Sequence, residues 1–151
     1  MEKKNTNAGF SLVELIVVIA IMAILVAVLA PTLISKIEDS RVSTDISTIS
    51  EVRQAVVNAL GTEAVYDEIV PTDADATYTI NGSDCTVSGC DKLSAQLDTI
   101  IGSFGFKSKT LKDVESIDIT VTPKGKVTAH PTGNDEKQFN IGAPSSSEDG
   151  E

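Results

Sequence analysis

From Phe10 to Ala30 the chain runs for 21 residues, of which only Ser11 and Glu14 are not apolar. About 20 such residues in helical form, at ~1.5 Å each, cross the ~30 Å hydrocarbon core of a bilayer. A helix that is apolar all round has to be surrounded by lipid or by other helices. The rest of the chain has a different character. Residues 32–151 hold 30 of the 34 charged side chains, so a membrane-type segment is joined to a polar domain. Lys3 and Lys4, on the amino side of the apolar segment, predict a cytoplasmic start with the remainder exported.

Glu14 is the one charge inside that segment. A carboxylate there costs several kcal/mol and is a functional candidate that needs a partner. No Lys, Arg or His lies between Phe10 and Ala30. A cut between Gly9 and Phe10 creates a partner, the new α-amino group of Phe10. That cation can pair with Glu14 of its own chain or of a neighbour. A secretory signal would be cut after its apolar stretch, but there Ala30-Pro31 is a poor site because proline follows directly.

The run Gly9-Phe10-Ser11-Leu12-Val13-Glu14-Leu15-Ile16-Val17-Val18-Ile19-Ala20-Ile21 resembles the amino-terminal signature of type IV pilins and the related pseudopilins. The likeness extends to Pro31, which falls where that family has a helix-kinking proline. The resemblance implies a prepilin whose leader, residues 1–9, is removed by a membrane aspartyl peptidase between Gly9 and Phe10. The same enzyme would methylate the amine of Phe10, and Glu14 would steer subunit assembly. Cleavage leaves 10 basic and 21 acidic side chains, a net −11. One departure stands out: residues 10–30 contain no glycine, so local unwinding of the helix would have to begin at Pro31.

Residues 32–60 contain neither Gly nor Pro, and Ile34, Ile37, Val42, Ile46, Ile49, Val52, Val56 and Leu60 recur mostly three or four apart. This predicts an amphipathic helix with a core-facing stripe, ended near Gly61. Joined to the apolar run and bent at Pro31, it predicts one helix from Phe10 to about Leu60. Beyond it the composition turns to Thr, Asp, Ser and Gly. Strands are predicted at Thr77–Ile80, Ser116–Val121, Lys126–Ala129 and Gln138–Ile141, tight turns at Asn81-Gly82 and Pro123-Lys124-Gly125, and a short helix over Leu93–Ile101. The expected fold class is α+β, a long bent amino-terminal helix packed on a small antiparallel sheet. The expected segments are a leader (1–9), a transmembrane or filament-core helix (10–31), its amphipathic half (32–60), an exported globular domain (61–143) and a flexible acidic tail (144–151).

Cys85 and Cys90 are the two cysteines, and an exported location permits a disulfide between them. So short a loop contributes only about 2 kcal/mol in the chain-entropy model. Asn81-Gly82-Ser83 matches a glycosylation pattern but reads better as a turn. Asp73 and Asp75 resemble part of a calcium loop whose glycine position is filled by Tyr78. With a single histidine, His130, beside Pro131, and no Cys-x-x-Cys, no metal site is expected.

A net charge of −10 and the lack of a basic stripe argue against nucleic-acid binding. No phosphate-cradling Gly-x-x-x-x-Gly-Lys occurs, and nothing places a nucleophile beside His130. No cofactor and no catalytic residues are expected. The reading that follows is a structural subunit of a type IV pilus-like filament. It would be held in the cytoplasmic membrane as a precursor and displayed at the cell surface once polymerised. By resemblance its partners are other copies of itself, a prepilin peptidase, an assembly platform protein and a separate assembly ATPase. A pseudopilin of a type II secretion or competence apparatus shares the same motif and stays open. So does a monomeric, membrane-anchored binding protein, which would keep Gly9 attached and tolerate loss of Glu14. The acidic surface predicts salt-dependent packing of the outer domains.

Overall fold

The computed structural model describes residues 11–134, 136–139 and 141, apart from the side chain of Lys137. The expected cleavage junction and the acidic segment 144–151 lie outside the described residues. Two compact units divide the chain, Met1–Glu38 and Asp39–Glu151.

One helix, α1 (Leu12–Ala59), begins in the first unit and ends in the second. Pro31 lies inside it rather than ending it. The proline has no N–H to give to the carbonyl one turn earlier. That removes the donor for the Ala27 carbonyl; the Thr32 Oγ1 hydroxyl donates to a different carbonyl, that of Leu29, at 2.8 Å. The α1 residues of the first unit bury nothing: every large apolar side chain from Leu12 to Leu29 is between 41% and 72% exposed. Among the described residues this is the one helix long and apolar enough to cross a membrane, with a mean hydropathy of 3.2 over its best window.

In the second unit the same helix becomes a core element. Asp45, Ile49, Val52, Ala55, Val56 and Ala59 are buried, at the three- and four-residue spacing of one helical face. The predicted stripe is therefore corrected at its start: Ile34 and Ile37 remain 60% and 45% exposed, and packing against the core begins at Val42, with full burial from Asp45. Gly61 follows the helix end as predicted, but without left-handed backbone. Its amide donates to the Asn58 carbonyl at 3.1 Å, in a turn.

The sheet has three antiparallel strands in the order β1 (Ala76–Asn81), β2 (Ser116–Val121), β3 (Val127–Pro131). Tyr78 pairs with Ile119 and Ile80 with Ile117, and Ile119 pairs with Ala129 in turn. Period-two alternation thus puts Ile80, Ile117, Ile119, Val121, Val127 and Ala129 on the buried face. Thr77, Thr79, Asp118, Thr120, Thr128 and His130 form the opposite, polar face. The buried face packs with the α1 stripe, with α2 (Glu63–Ile69) and with α3 (Asp91–Ile100) around one core.

Three local expectations change. The helix α2 was not predicted. The Asn81-Gly82 turn does not join neighbouring strands, because β1 pairs with β2, which begins 35 residues after β1 ends; the turn leads into a single bridge between Ile80 and Val87. The expected strand at Gln138–Ile141 is a 3-10 helix, Lys137–Phe139, followed by one bridge from Ile141 to Ala129. Phe139 turns into the core there and is fully buried, while Ile141 pairs with β3 through both backbone bonds to Ala129.

Candidate processing and assembly segment

Ser11 immediately precedes the first residue of α1, which makes Glu14 the third residue of the first turn. The Glu14 carboxylate accepts the Ser11 backbone N–H at 3.3 Å, and the Leu15 N–H donates to the Ser11 carbonyl at 3.2 Å. This is half of a Ser-x-x-Glu capping box, in which the acid reaches back to an amide that the helix cannot satisfy itself. The negative charge also sits at the positive end of the helix dipole. Glu14 therefore has a local use that its role as a stranded acid did not suggest. The signal was present in the sequence as Ser11-Leu12-Val13-Glu14. One amide satisfies only part of a carboxylate, which has acceptor capacity for several donors. Around Glu14 stand the exposed side chains of Leu12, Val13, Leu15 and Ile16. The geometry among the described residues is an acid at a helix start, holding one amide, beside exposed apolar side chains.

Residues 4–30 match the family model for the prokaryotic N-terminal methylation motif. This motif is the hallmark of type IV pilin and pseudopilin prepilins, and it supports a precursor of that kind. It spans the Gly9-Phe10 junction, Glu14 and most of the apolar run, and leaves residues 31–151 outside. No curated protein and no solved structure matches the chain.

The second unit carries a carboxylate that sequence reasoning missed. Asp45 is fully buried in α1. Its two oxygens accept the backbone amides of Lys107 and Ser108, both at 2.8 Å. The Leu111 N–H in turn donates to the Ser108 hydroxyl at 3.3 Å. The signal was positional. Asp45 falls three residues after Val42 and four before Ile49, on the apolar stripe itself.

Cys85 and Cys90 stand as two separate thiols, both buried, and the expected bond between them is not formed in this structure. Burial pushes both thiols above their ordinary value, with nearby carboxylates adding to the effect: Asp98 and Asp84 at Cys85, Glu68 and Asp91 at Cys90. Cys85 occupies a left-handed turn position, φ 51°, while Cys90 leads into α3. Glu68 covers the start of that helix, accepting the Lys92 and Leu93 amides at 3.3 and 3.0 Å. Asn81 Oδ1 accepts both the amide and the hydroxyl of Ser83, the geometry of a side-chain-mimicked turn. His130 pairs across the sheet with Asp118 on the polar face. Asp73 holds the Thr72 hydroxyl at 3.3 Å. Among the described residues no three His, Cys, Asp or Glu side chains gather into a possible metal site.

Proposed function

We propose that the chain is a structural subunit of a type IV pilus-like filament, cut between Gly9 and Phe10, methylated on the Phe10 amine and then polymerised through its apolar helix. What supports this reading is Glu14: an acid at the head of a helix whose large apolar side chains from Leu12 to Leu29 are all exposed. In lipid or in a bundle of such helices, that acid gains most from a cation delivered at the same depth. The freed amine of Phe10 is the cation the chain itself can supply. Buried ion pairs are poor sources of net stability and better at penalising wrong registers, which suits a subunit that must stack in one staggered way. Pro31 marks the place where the helix would bend on packing.

The peptidase, the platform protein and the assembly ATPase enter as the partners such a cycle requires. The test is mass spectrometry of the amino-terminal peptide in material sheared from cells. Finding the peptide beginning at methylated Phe10 supports the proposal, and an intact Met1 in that fraction overturns it. Long fibres rich in this chain distinguish a pilus subunit from a secretion pseudopilin.

A further inference from the structure

Asn81-Gly82 is the one Asn-Gly step in the chain. Such a pair can react with itself. The glycine nitrogen, giving its proton to base, bonds to the carbonyl carbon of the asparagine side chain. The bond from that carbon to the side-chain nitrogen breaks, and ammonia leaves. Water then opens the cyclic imide at either carbonyl, which leaves aspartate or isoaspartate. Glycine obstructs this closure least, because it has no Cβ.

The fold prepares one half of that reaction and blocks the other. Asn81 is exposed, so water and base reach it. Its Oδ1 accepts the Ser83 amide at 3.0 Å and the Ser83 hydroxyl at 2.9 Å. Donors on a carbonyl oxygen stabilise the charge it gains when its carbon is attacked. The nucleophile is held elsewhere. The Gly82 N–H donates to the Glu115 carbonyl at 2.8 Å, and the Gly82 carbonyl accepts the Phe104 N–H at 2.8 Å. Gly82 is also buried. One residue back, the Asn81 N–H donates to the Thr86 carbonyl at 3.0 Å, and Asn81 ends β1 opposite Ser116. Extended strand backbone turns the following nitrogen away from the side chain, and these three hydrogen bonds keep it there.

We propose that Asn81 is a latent imide-forming site, shut in the folded second unit and opened when Gly82 leaves Glu115 and Phe104. Its reaction is then gated by local unfolding, as amide exchange is. The two products differ in consequence. Aspartate leaves the main chain unchanged and still accepts from Ser83. Isoaspartate routes the main chain through the side chain and adds one carbon just before Gly82. There is no room for it: even an added Cβ at Gly82 would stand 2.8 Å from the Glu115 and Phe104 carbonyl oxygens. A chain that stays unfolded long enough to react by this route loses the means to close the site again.

The test holds the full-length chain in detergent at mildly alkaline pH, with and without urea. Mass spectrometry follows the peptide containing Asn81 for the gain in mass from amide to acid. Asn81 should be lost about tenfold or more slowly in the folded chain than in the denatured one, with the rate rising along the unfolding curve of the second unit. Equal rates overturn the proposal, as does a denatured chain that keeps Asn81 intact. A denatured product containing aspartate without isoaspartate overturns it too, since direct hydrolysis then replaces the imide. The consequence is read after the urea is removed. Chains that recover resistance to protease should be enriched in aspartate over isoaspartate by about tenfold relative to the unsorted sample, the effect of one extra carbon in a packed site. Recovery of both products alike, or of neither, overturns that consequence.

Discussion

Glu14 and Asp45 are two carboxylates on one helix, and both accept backbone amides. Asp45 is fully buried and takes two amides at 2.8 Å. Glu14 takes one at 3.3 Å, among apolar side chains that stay exposed. The region around Asp45 is complete within one copy, because loop, helix and sheet satisfy each other. Glu14 lies instead in the exposed apolar segment, outside that core. The difference separates a residue that holds the fold of the second unit from one that does not, and the proposed assembly role falls on the latter.

The sharpest way to break this comparison is Glu14→Ala. It should remove nearly all incorporation into fibres, as measured by the sheared fraction, and leave the melting of the exported unit unchanged. Fibres at normal yield would end the distinction. Asp45→Ala should do the reverse at its source. It strands the part-buried Lys107 amide and the buried Ser108 amide, at about 1–3 kcal/mol each, so the second unit should lose roughly 2–6 kcal/mol. That corresponds to a fall in melting temperature on the order of 10 °C or more by calorimetry. Next in size is a paired measurement along one face. Ile49→Ala, in the core, should cost about 2–5 kcal/mol. Ile34→Ala, exposed and outside that core, should change the exported unit's stability by less than about 0.5 kcal/mol. A smaller loss, about 1–3 kcal/mol, is expected from Gly82→Ala, whose new Cβ would stand 2.8 Å from the carbonyls of Glu115 and Phe104.

Much of this was legible before the structure. The α1 span, β2 and the helix at 91–100 follow from periodicity, because a single buried face imposes a period that local reading can detect. What escaped depended on distant partners. Ile34 and Ile37 carry the same spacing as Ile49, but whether a stripe is covered depends on where the sheet lies. Asn81-Gly82 reads as a hairpin turn, yet the Gly82 amide donates to Glu115 and its carbonyl accepts from Phe104, both at 2.8 Å. The turn is present, with Asn81 Oδ1 holding the Ser83 amide, and its glycine is needed in addition for a close backbone approach. Asp45 was visible only as a charge on an apolar face, and its partners lie more than 60 residues later. At the assembly segment the reverse holds. The residue types alone single out Glu14 and the Gly9-Phe10 junction, since an acid in an apolar run is conspicuous without knowledge of the fold.

The smallest expected effect concerns the thiols and tests whether the second unit is closed within one copy. Burial, reinforced by neighbouring carboxylates, raises both Cys85 and Cys90 above the ordinary value of 9.0. The thiolate is the reactive form, so at pH 8 the folded, reduced chain should react with iodoacetamide several-fold more slowly than the chain in denaturant. The sign of the linked stability follows. Well below pH 9 the thiols are almost wholly neutral in both states and their burial costs nothing extra. As pH rises further the unfolded thiols ionise first, so the folded state loses stability. If the exported unit is complete in itself, the slow rate should be the same for the membrane-held precursor and for assembled fibres. A precursor whose thiols react as fast as the denatured chain would mean that its core closes only on assembly, and the contrast between the Glu14 and Asp45 regions would no longer hold.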